Sequence, residues 1–131
     1  MVAELHVNDL GASLAFWRDI LTFSVAYQRD DSFFYLEHAG GHQIMLCQRN
    51  DRFETGPLIH PLGQGAMFQF YFDKVGPVID RLRSQNWNLS RPSRDLARQV
   101  GNAEHGQLEV FVQNPDGYLL MFAQHIGQRA L

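Results

Sequence analysis

The sequence predicts an α+β fold: two βαβββ modules whose eight or so strands form two curved mixed sheets, each with its helix on the outer face. A turn, a repeat and a matched alternation carry that expectation. Asn114-Pro115-Asp116-Gly117 has the residues of a type I turn closed by a left-handed glycine, because Pro115 presets φ at the first corner and Gly117 accepts positive φ without a Cβ clash. Before the turn, residues 108–113 alternate, with Val110 and Val112 on one face and Glu109, Phe111 and Gln113 on the other; after it, residues 118–123 are a short apolar run. The pair reads as a terminal hairpin. An earlier stretch repeats it. Placing Gly41 on Gly117 sets Phe34-Tyr35-Leu36 on Val110-Phe111-Val112 and Ile44-Met45-Leu46-Cys47-Gln48 on Leu120-Met121-Phe122-Ala123-Gln124, an offset of 76 positions. Upstream, residues 9–14 and 74–79 each follow an alternating run and open a helical pattern, at an offset of 65. The difference places about eleven extra residues in the second copy, most easily in a loop over residues 91–106.

Each element follows in order. Residues 2–7 alternate Ala3, Leu5 and Val7 against Val2, Glu4 and His6, as a half-buried strand does. Asp9 has N-cap chemistry, and Leu10, Leu14, Trp17 and Leu21, flanked by Ser13 and Ile20, form one stripe at helical spacing with Trp17 in the core. Residues 23–28, 32–37 and 43–48 read as three strands separated by Arg29-Asp30-Asp31 and Ala39-Gly40-Gly41, which completes a first module over residues 1–48. Residues 49–65 are an irregular connector broken by Gly56-Pro57, Pro61 and Gly63. Its length and its apolar Phe53, Leu58, Ile59 and Leu62 mark it as functional or as a shield. The second module, residues 66–131, opens on a strand over residues 66–72 that turns Phe68, Phe70 and Phe72 to the core and Met67, Gln69 and Tyr71 away from it. Pro77 suits a first helical turn, and Val75, Val78, Ile79 and Leu82 form the stripe behind it. Trp87 and Leu89 resume extended structure. Residues 92–106, with charges of both signs, show the least pattern; a strand over residues 97–101 is the element they suggest.

A chain of 131 residues, 45% apolar and 12% aromatic, is long enough for one domain with a substantial core shared by both modules. A formal charge of −3 without a basic run gives no electrostatic footprint for nucleic acid or an anionic membrane. Residues 1–10 carry Glu4, His6 and Asp9 and lack an apolar export segment, and no run of about 18 apolar residues occurs, so a cytoplasmic protein is expected. Cys47 is the sole cysteine and reads as a small strand hydrophobe. His38, His42, His60, His105 and His125 show no ligand spacing and read as surface groups; no GxSxG, phosphate loop or CxxC supports nucleophilic, nucleotide or redox chemistry.

The order of these features resembles the vicinal oxygen chelate superfamily, which includes glyoxalase I, extradiol dioxygenases, fosfomycin-modifying enzymes and the bleomycin resistance proteins. The resemblance rests on Val7-Asn8-Asp9-Leu10 followed by Phe16-Trp17-Arg18-Asp19-Ile20-Leu21, on the two βαβββ modules, and on Asn114-Pro115-Asp116-Gly117-Tyr118 before the last strand, and it spans nearly the whole chain. Phe34-Tyr35-Leu36-Glu37, Glu54-Thr55-Gly56-Pro57 and the ending Tyr118-Leu119-Leu120-Met121-Phe122-Ala123-Gln124 are most similar to the bleomycin resistance branch. The resemblance implies a concave cup in which enzymes of the superfamily hold a divalent ion with His or Glu from the first and fourth strands and their counterparts in the second module. Here those positions are Val2, Met45, Met67 and Met121. A thioether is soft and neutral, whereas Mg²⁺, Mn²⁺, Fe²⁺ and Zn²⁺ sites of this kind use carboxylate oxygen or imidazole nitrogen, so neither metal nor other cofactor is expected.

Methionines on strands are commonly core residues, but the alternation separates these three from the helix-facing Ile44, Leu46, Phe68, Phe70, Leu120 and Phe122. That phase places them in the cup with Phe33, Tyr35, Tyr71 and Phe111, beside the polar Glu4, His6, Gln43, Gln69, Glu109 and Gln113. Apolar walls with a few convergent polar groups suit a small molecule. The candidate ligand-binding residues are Glu4, His6, Phe33, Tyr35, Met45, Met67, Gln69, Tyr71, Phe111 and Met121. Three functions fit. The favoured one is a metal-independent small-molecule binding protein, resembling bleomycin resistance proteins, that sequesters an apolar or aromatic ligand, antibiotics included. A second is a glyoxalase- or dioxygenase-like enzyme with a non-standard site around Glu4 and His6, two apart on one strand. A third is a dimeric structural or regulatory module. A homodimer is expected in any case, because an open cup and free sheet edges leave apolar surface to cover.

Overall fold

The computed structural model describes residues 1–130, the side chains of residues 92–96 and 129 excepted. Its elements are β1 (Ala3–Val7), α1 (Leu10–Ala15) running into a π-helical turn (Phe16–Ile20), β2 (Ser24–Arg29), β3 (Phe33–Glu37), β4 (Gln43–Gln48), β5 (Met67–Tyr71), α2 (Gly76–Ser84), β6 (Arg91–Val100), β7 (Ala103–Gln113) and β8 (Leu119–Ala130). The strands form two four-stranded mixed sheets, ordered β1-β4-β3-β2 and β5-β8-β7-β6, with β1 parallel to β4 and β5 parallel to β8. This is the expected α+β arrangement of two βαβββ modules. The chain divides into two compact units, one of Met1–Gln64 with Asn114–Tyr118, the other of Gly65–Gln113 with the last strand.

The sequence repeat is present in the hydrogen bonding. Ala3 pairs with Ile44 as Phe68 pairs with Leu120, and Phe34 pairs with Leu46 as Val110 pairs with Phe122, so both offsets hold at once. In the first turn the Gly41 amide donates to the His38 carbonyl at 2.8 Å and the His38 amide to the His42 carbonyl at 2.8 Å. In the second, the Gly117 amide donates to the Asn114 carbonyl at 2.9 Å and the Asn114 amide to the Tyr118 carbonyl at 3.1 Å. Both glycines have left-handed φ, 90° and 91°, which a Cβ would oppose. The helix starts match as well. Gln48 Oε1 accepts from the Leu10 amide at 3.0 Å and Gln124 Oε1 from the Val75 amide at 3.0 Å, each satisfying a donor that the first helical turn leaves unpaired. Asp9 caps α1 as expected, its Oδ1 accepting from the Ala12 amide at 3.0 Å.

In the first unit Leu5, Val7, Trp17, Leu21, Phe23, Leu36, Ile44 and Leu46 are fully buried between sheet and helix, Trp17 meeting Phe23 edge-on at 5.1 Å. In the second, Phe70, Val78, Leu82, Val110, Val112, Leu120 and Phe122 play the same part, with Phe72 stacked on Phe122 at 5.4 Å.

Three expectations need correction. The extra residues of the second copy do not form a loop over 91–106: β6, β7 and β8 have 10, 11 and 12 residues where β2, β3 and β4 have 6, 5 and 6, and a tight turn at 101–102 closes the β6–β7 ribbon. The described side chains of 97–102 are exposed, and strands with no face to bury need no apolar alternation to announce them. Trp87 and Leu89 are not in a strand. The Trp87 amide returns to the Leu82 carbonyl at 2.8 Å and its indole donates to the Gln113 carbonyl at 2.9 Å, so this stretch finishes α2 and β6 starts at Arg91. Finally, the π-helical turn adds a residue to the first helix, burying Phe16 and leaving Leu14 half-buried.

Candidate functional site

The pleat of the second sheet sends alternate residues away from its buried core, and the pairing aligns them across strands. Gln69 on β5 pairs with Met121 on β8, Met121 with Phe111 on β7, and Phe111 with Arg91 on β6. Around this rung lies a cavity of 340 Å³ lined by Met67, Gln69, Tyr71, Leu119, Met121, Gln107, Glu109, Phe111, Arg91 and Arg98. Five expected residues, Met67, Gln69, Tyr71, Phe111 and Met121, are thus brought together. Phe111 and Met121, which form a buried apolar cluster with Ala123, lie at its floor, while Met67 and Tyr71 stand exposed as its walls.

Glu109 is the unusual group, a carboxylate only 1% exposed. Burying a charge is costly unless it is paired, and here Arg98 Nη2 donates to its Oε2 at 3.1 Å and Oε1 at 3.5 Å, while Gln107 Nε2 donates to Oε2 at 3.0 Å. The Arg98 side chain is itself 54% exposed, so the pair joins the cavity interior to its mouth. Arg91 lies with its guanidinium carbon 4.6 Å above the centroid of the Phe111 ring.

The other five expected residues share a face of the first sheet. One rung runs Glu4, Met45, Tyr35, Tyr27 and the next His6, Cys47, Phe33, Arg29. His6 Nε2 and Glu4 Oε2 are 3.0 Å apart, and the His6 ring meets Phe53 of the connector edge-on at 6.0 Å. The Tyr35 hydroxyl donates to Gln43 Oε1 at 2.7 Å while its ring stacks on Tyr27 at 5.0 Å. Phe33 is buried beneath Arg29, whose guanidinium sits 4.2 Å over the ring. Burial, then the charge of Glu4, pushes the Cys47 thiol up, which keeps it neutral and unlike a nucleophile. Of the five histidines read as surface groups, His60 and His125 are exposed, whereas His38, His42 and His105 are half-buried, His38 against Phe23 at 5.1 Å.

Val2, Met45, Met67 and Met121 offer hydrocarbon and thioether at the positions where the resemblance implies ligands, so these residues do not fit a hard divalent ion. Among the described residues, no three His, Cys, Asp or Glu side chains come together in a way that could hold a metal. Among them, too, no helix is long and apolar enough to cross a membrane. Arg91, Arg98, Gln107 and Leu119 were missed from sequence. The two arginines lie in the stretch without alternation, where no phase could be assigned. Glu109 and Gln113 had the right phase, yet only the first lines the cavity.

The family model for the Glyoxalase/Bleomycin resistance protein/Dioxygenase superfamily matches residues 2–122. No curated protein matches the sequence. Among solved structures, the chain is similar to TioX from Micromonospora sp. ML1, with a TM-score of 0.72 and 15% identity over 96% of this chain and 98% of that one. It is also similar to a virulence protein from Salmonella typhimurium (TM-score 0.68, 18% identity, 95% and 94% covered). A third likeness is to lactoylglutathione lyase from Agrobacterium tumefaciens (TM-score 0.63, 20% identity, 95% and 91% covered). At such identities the likeness is one of fold. Joined to the family match over most of the sequence, it means that the chain belongs to the glyoxalase/bleomycin resistance protein/dioxygenase superfamily.

Proposed function

We propose that the protein is a metal-independent small-molecule binding protein of the bleomycin resistance type, which sequesters an apolar or aromatic ligand in the cytoplasm. The carrying observation is the 340 Å³ cavity with Met121 and Phe111 at its floor and Met67 and Tyr71 at its walls. Thioethers and aromatic rings adapt to flat ligands, and the few polar groups around them fix orientation. Titration with the fluorescent probe anilinonaphthalene sulfonate is expected to show saturable binding that Met121→Glu or the more exposed Met67→Glu abolishes without altering the far-ultraviolet circular dichroism. Binding that survives both substitutions refutes the reading, and bleomycin in the same assay tests the branch. Zn²⁺, Ni²⁺ or Mn²⁺ is expected to leave Tm unchanged, because a specific site would stabilise by RT ln(1 + [L]/Kd). The proposal includes a homodimer, supported by the exposed apolar Phe53 and Ile59 of the connector; a monomer by light scattering at micromolar concentration would count against it.

The 3.0 Å contact of Glu4 with His6 supports a second reading as an enzyme with an acid/base pair on the first sheet. Formation of lactoylglutathione that His6→Gln abolishes while probe binding persists would establish it.

A further inference from the structure

We infer that the ligand is a flat aromatic anion, its carboxylate or comparable oxyanion received by Arg91 and Arg98 at the mouth of the second-sheet cavity; this rests on reading that face as the binding surface. Among the described residues, the charged side chains lining the cavity are Arg91, Arg98 and Glu109. Two cations against one anion leave this described lining at +1 in a chain whose formal charge is −3. The anion is already engaged. Glu109 accepts from Arg98 and Gln107 and is buried, so an incoming cation would have to displace a guanidinium to reach it. The cations are not used up in the same way. Arg98 turns one Nη to Glu109 and is half-exposed, and Arg91 lies over the Phe111 ring, an arrangement that leaves the guanidinium edge open to a carboxylate.

The rung geometry sets the ligand's shape. Met121, Phe111 and Arg91 are direct neighbours on three adjacent strands, spaced roughly 4.8 Å apart. A fused bicyclic ring laid over Met121, beside the Phe111 ring that Arg91 covers, therefore brings a carboxylate at its edge to Arg91, with Gln69 at the opposite end of the rung. A neutral aromatic keeps the apolar floor and forgoes the charge-assisted hydrogen bonds, and an ammonium meets two guanidiniums.

Calorimetric titration of the full chain with 1-naphthoate, 1-naphthalenemethanol and 1-naphthylmethylammonium tests this. Naphthoate is expected to bind about tenfold more tightly than the alcohol, with the ammonium weaker still. Arg91→Met is expected to bring naphthoate down to the affinity of the alcohol and leave the alcohol unchanged. Arg98→Met removes the cation that Arg98 sets against Glu109, so it is combined with Glu109→Gln, and the double variant is expected to lower naphthoate binding again. Ammonium binding as tight as naphthoate binding, or an undiminished naphthoate preference in Arg91→Met, overturns the charge assignment while the binding face stands. Failure of all three compounds to bind at millimolar concentration overturns the proposed function and this inference together.

Discussion

The two glycine turns have one backbone and different surroundings. Around Gly41, an added Cβ would meet nothing within 4 Å; around Gly117 it would fall 2.5 Å from Pro61 Cβ, 2.6 Å from Pro61 Cα and 3.1 Å from His60 Cε1. The second turn is enclosed. Its Asp116 Oδ1 accepts from the Asn8 amide at 2.7 Å, its Asp116 carbonyl from the Leu62 amide at 2.9 Å, and Tyr118 donates its hydroxyl to the His6 carbonyl at 2.8 Å. Repetition has kept what the chain geometry demands, the left-handed glycine and the glutamine at each helix start, while the side chains around them differ. The open faces diverge in the same manner: the positions of Glu4 and His6 are taken by Gln69 and Tyr71, and the Phe33 position, with Arg29 over the ring, by Glu109 with Arg98 on its carboxylate.

The largest expected effect lies in those glycines. Gly41→Ala is expected to cost about 1 kcal/mol, the strain of positive φ alone, whereas Gly117→Ala adds a clash with backbone and is expected to cost about 3 kcal/mol or more. Urea unfolding of both variants measures the gap. Equal midpoints would mean that the connector yields freely to the second turn.

The glutamines come next. Gln48→Ala and Gln124→Ala each strip an acceptor from a helix-start amide, expected to cost about 1 kcal/mol apiece. The local effect should be unequal, because α1 retains Asp9 whereas the Val75 cap of α2 makes no side-chain hydrogen bond. Hydrogen exchange in the first turn of α2 is expected to accelerate more in Gln124→Ala than exchange in α1 does in Gln48→Ala. The reverse order would break the equivalence of the two helix starts.

How much could be read in advance divides along the same lines. The repeat, both glycine turns and the phase of the half-buried strands were legible, since a strand with one buried face writes its pattern into the sequence, as Leu5, Val7, Ile44 and Leu46 do. The five cavity residues on β5, β7 and β8 followed from that phase. The β6–β7 ribbon did not, because its exposed residues 97–102 have no face to bury and so need no alternation, and Arg91 and Arg98 were hidden with it. The depth of Glu109 was likewise invisible: phase gives the side of a sheet, whereas burial depends on which side chains of neighbouring strands close over it.

The smallest expected effect concerns Asp116, whose counterpart in the first turn is Gly40. Burial pushes the Asp116 carboxyl up, the Asn8 amide offsetting only part of it, and Oδ2 has no hydrogen-bond partner among the described residues. An acid whose pKa is raised by folding contributes stability in its protonated form, fully present below the unfolded value of about 4 and lost as pH rises through the folded value. Glu54 has the opposite sign, because the Arg49 guanidinium at 2.8 Å holds it low, so its contribution is present above the usual carboxylate range and lost as pH falls. Asp116→Asn keeps an acceptor for the Asn8 amide and removes the buried charge. It is therefore expected to stabilise by about 1 kcal/mol at pH 7 and to lose that advantage by about pH 4. Unfolding of parent and variant across that range, with Glu54→Gln as the control that loses stability at pH 7 and converges on the parent in acid, measures both signs. A gain for Asp116→Asn that stays constant with pH would show that folding leaves the pKa of the carboxyl unshifted and that the enclosure of the second turn exacts no penalty on its charge.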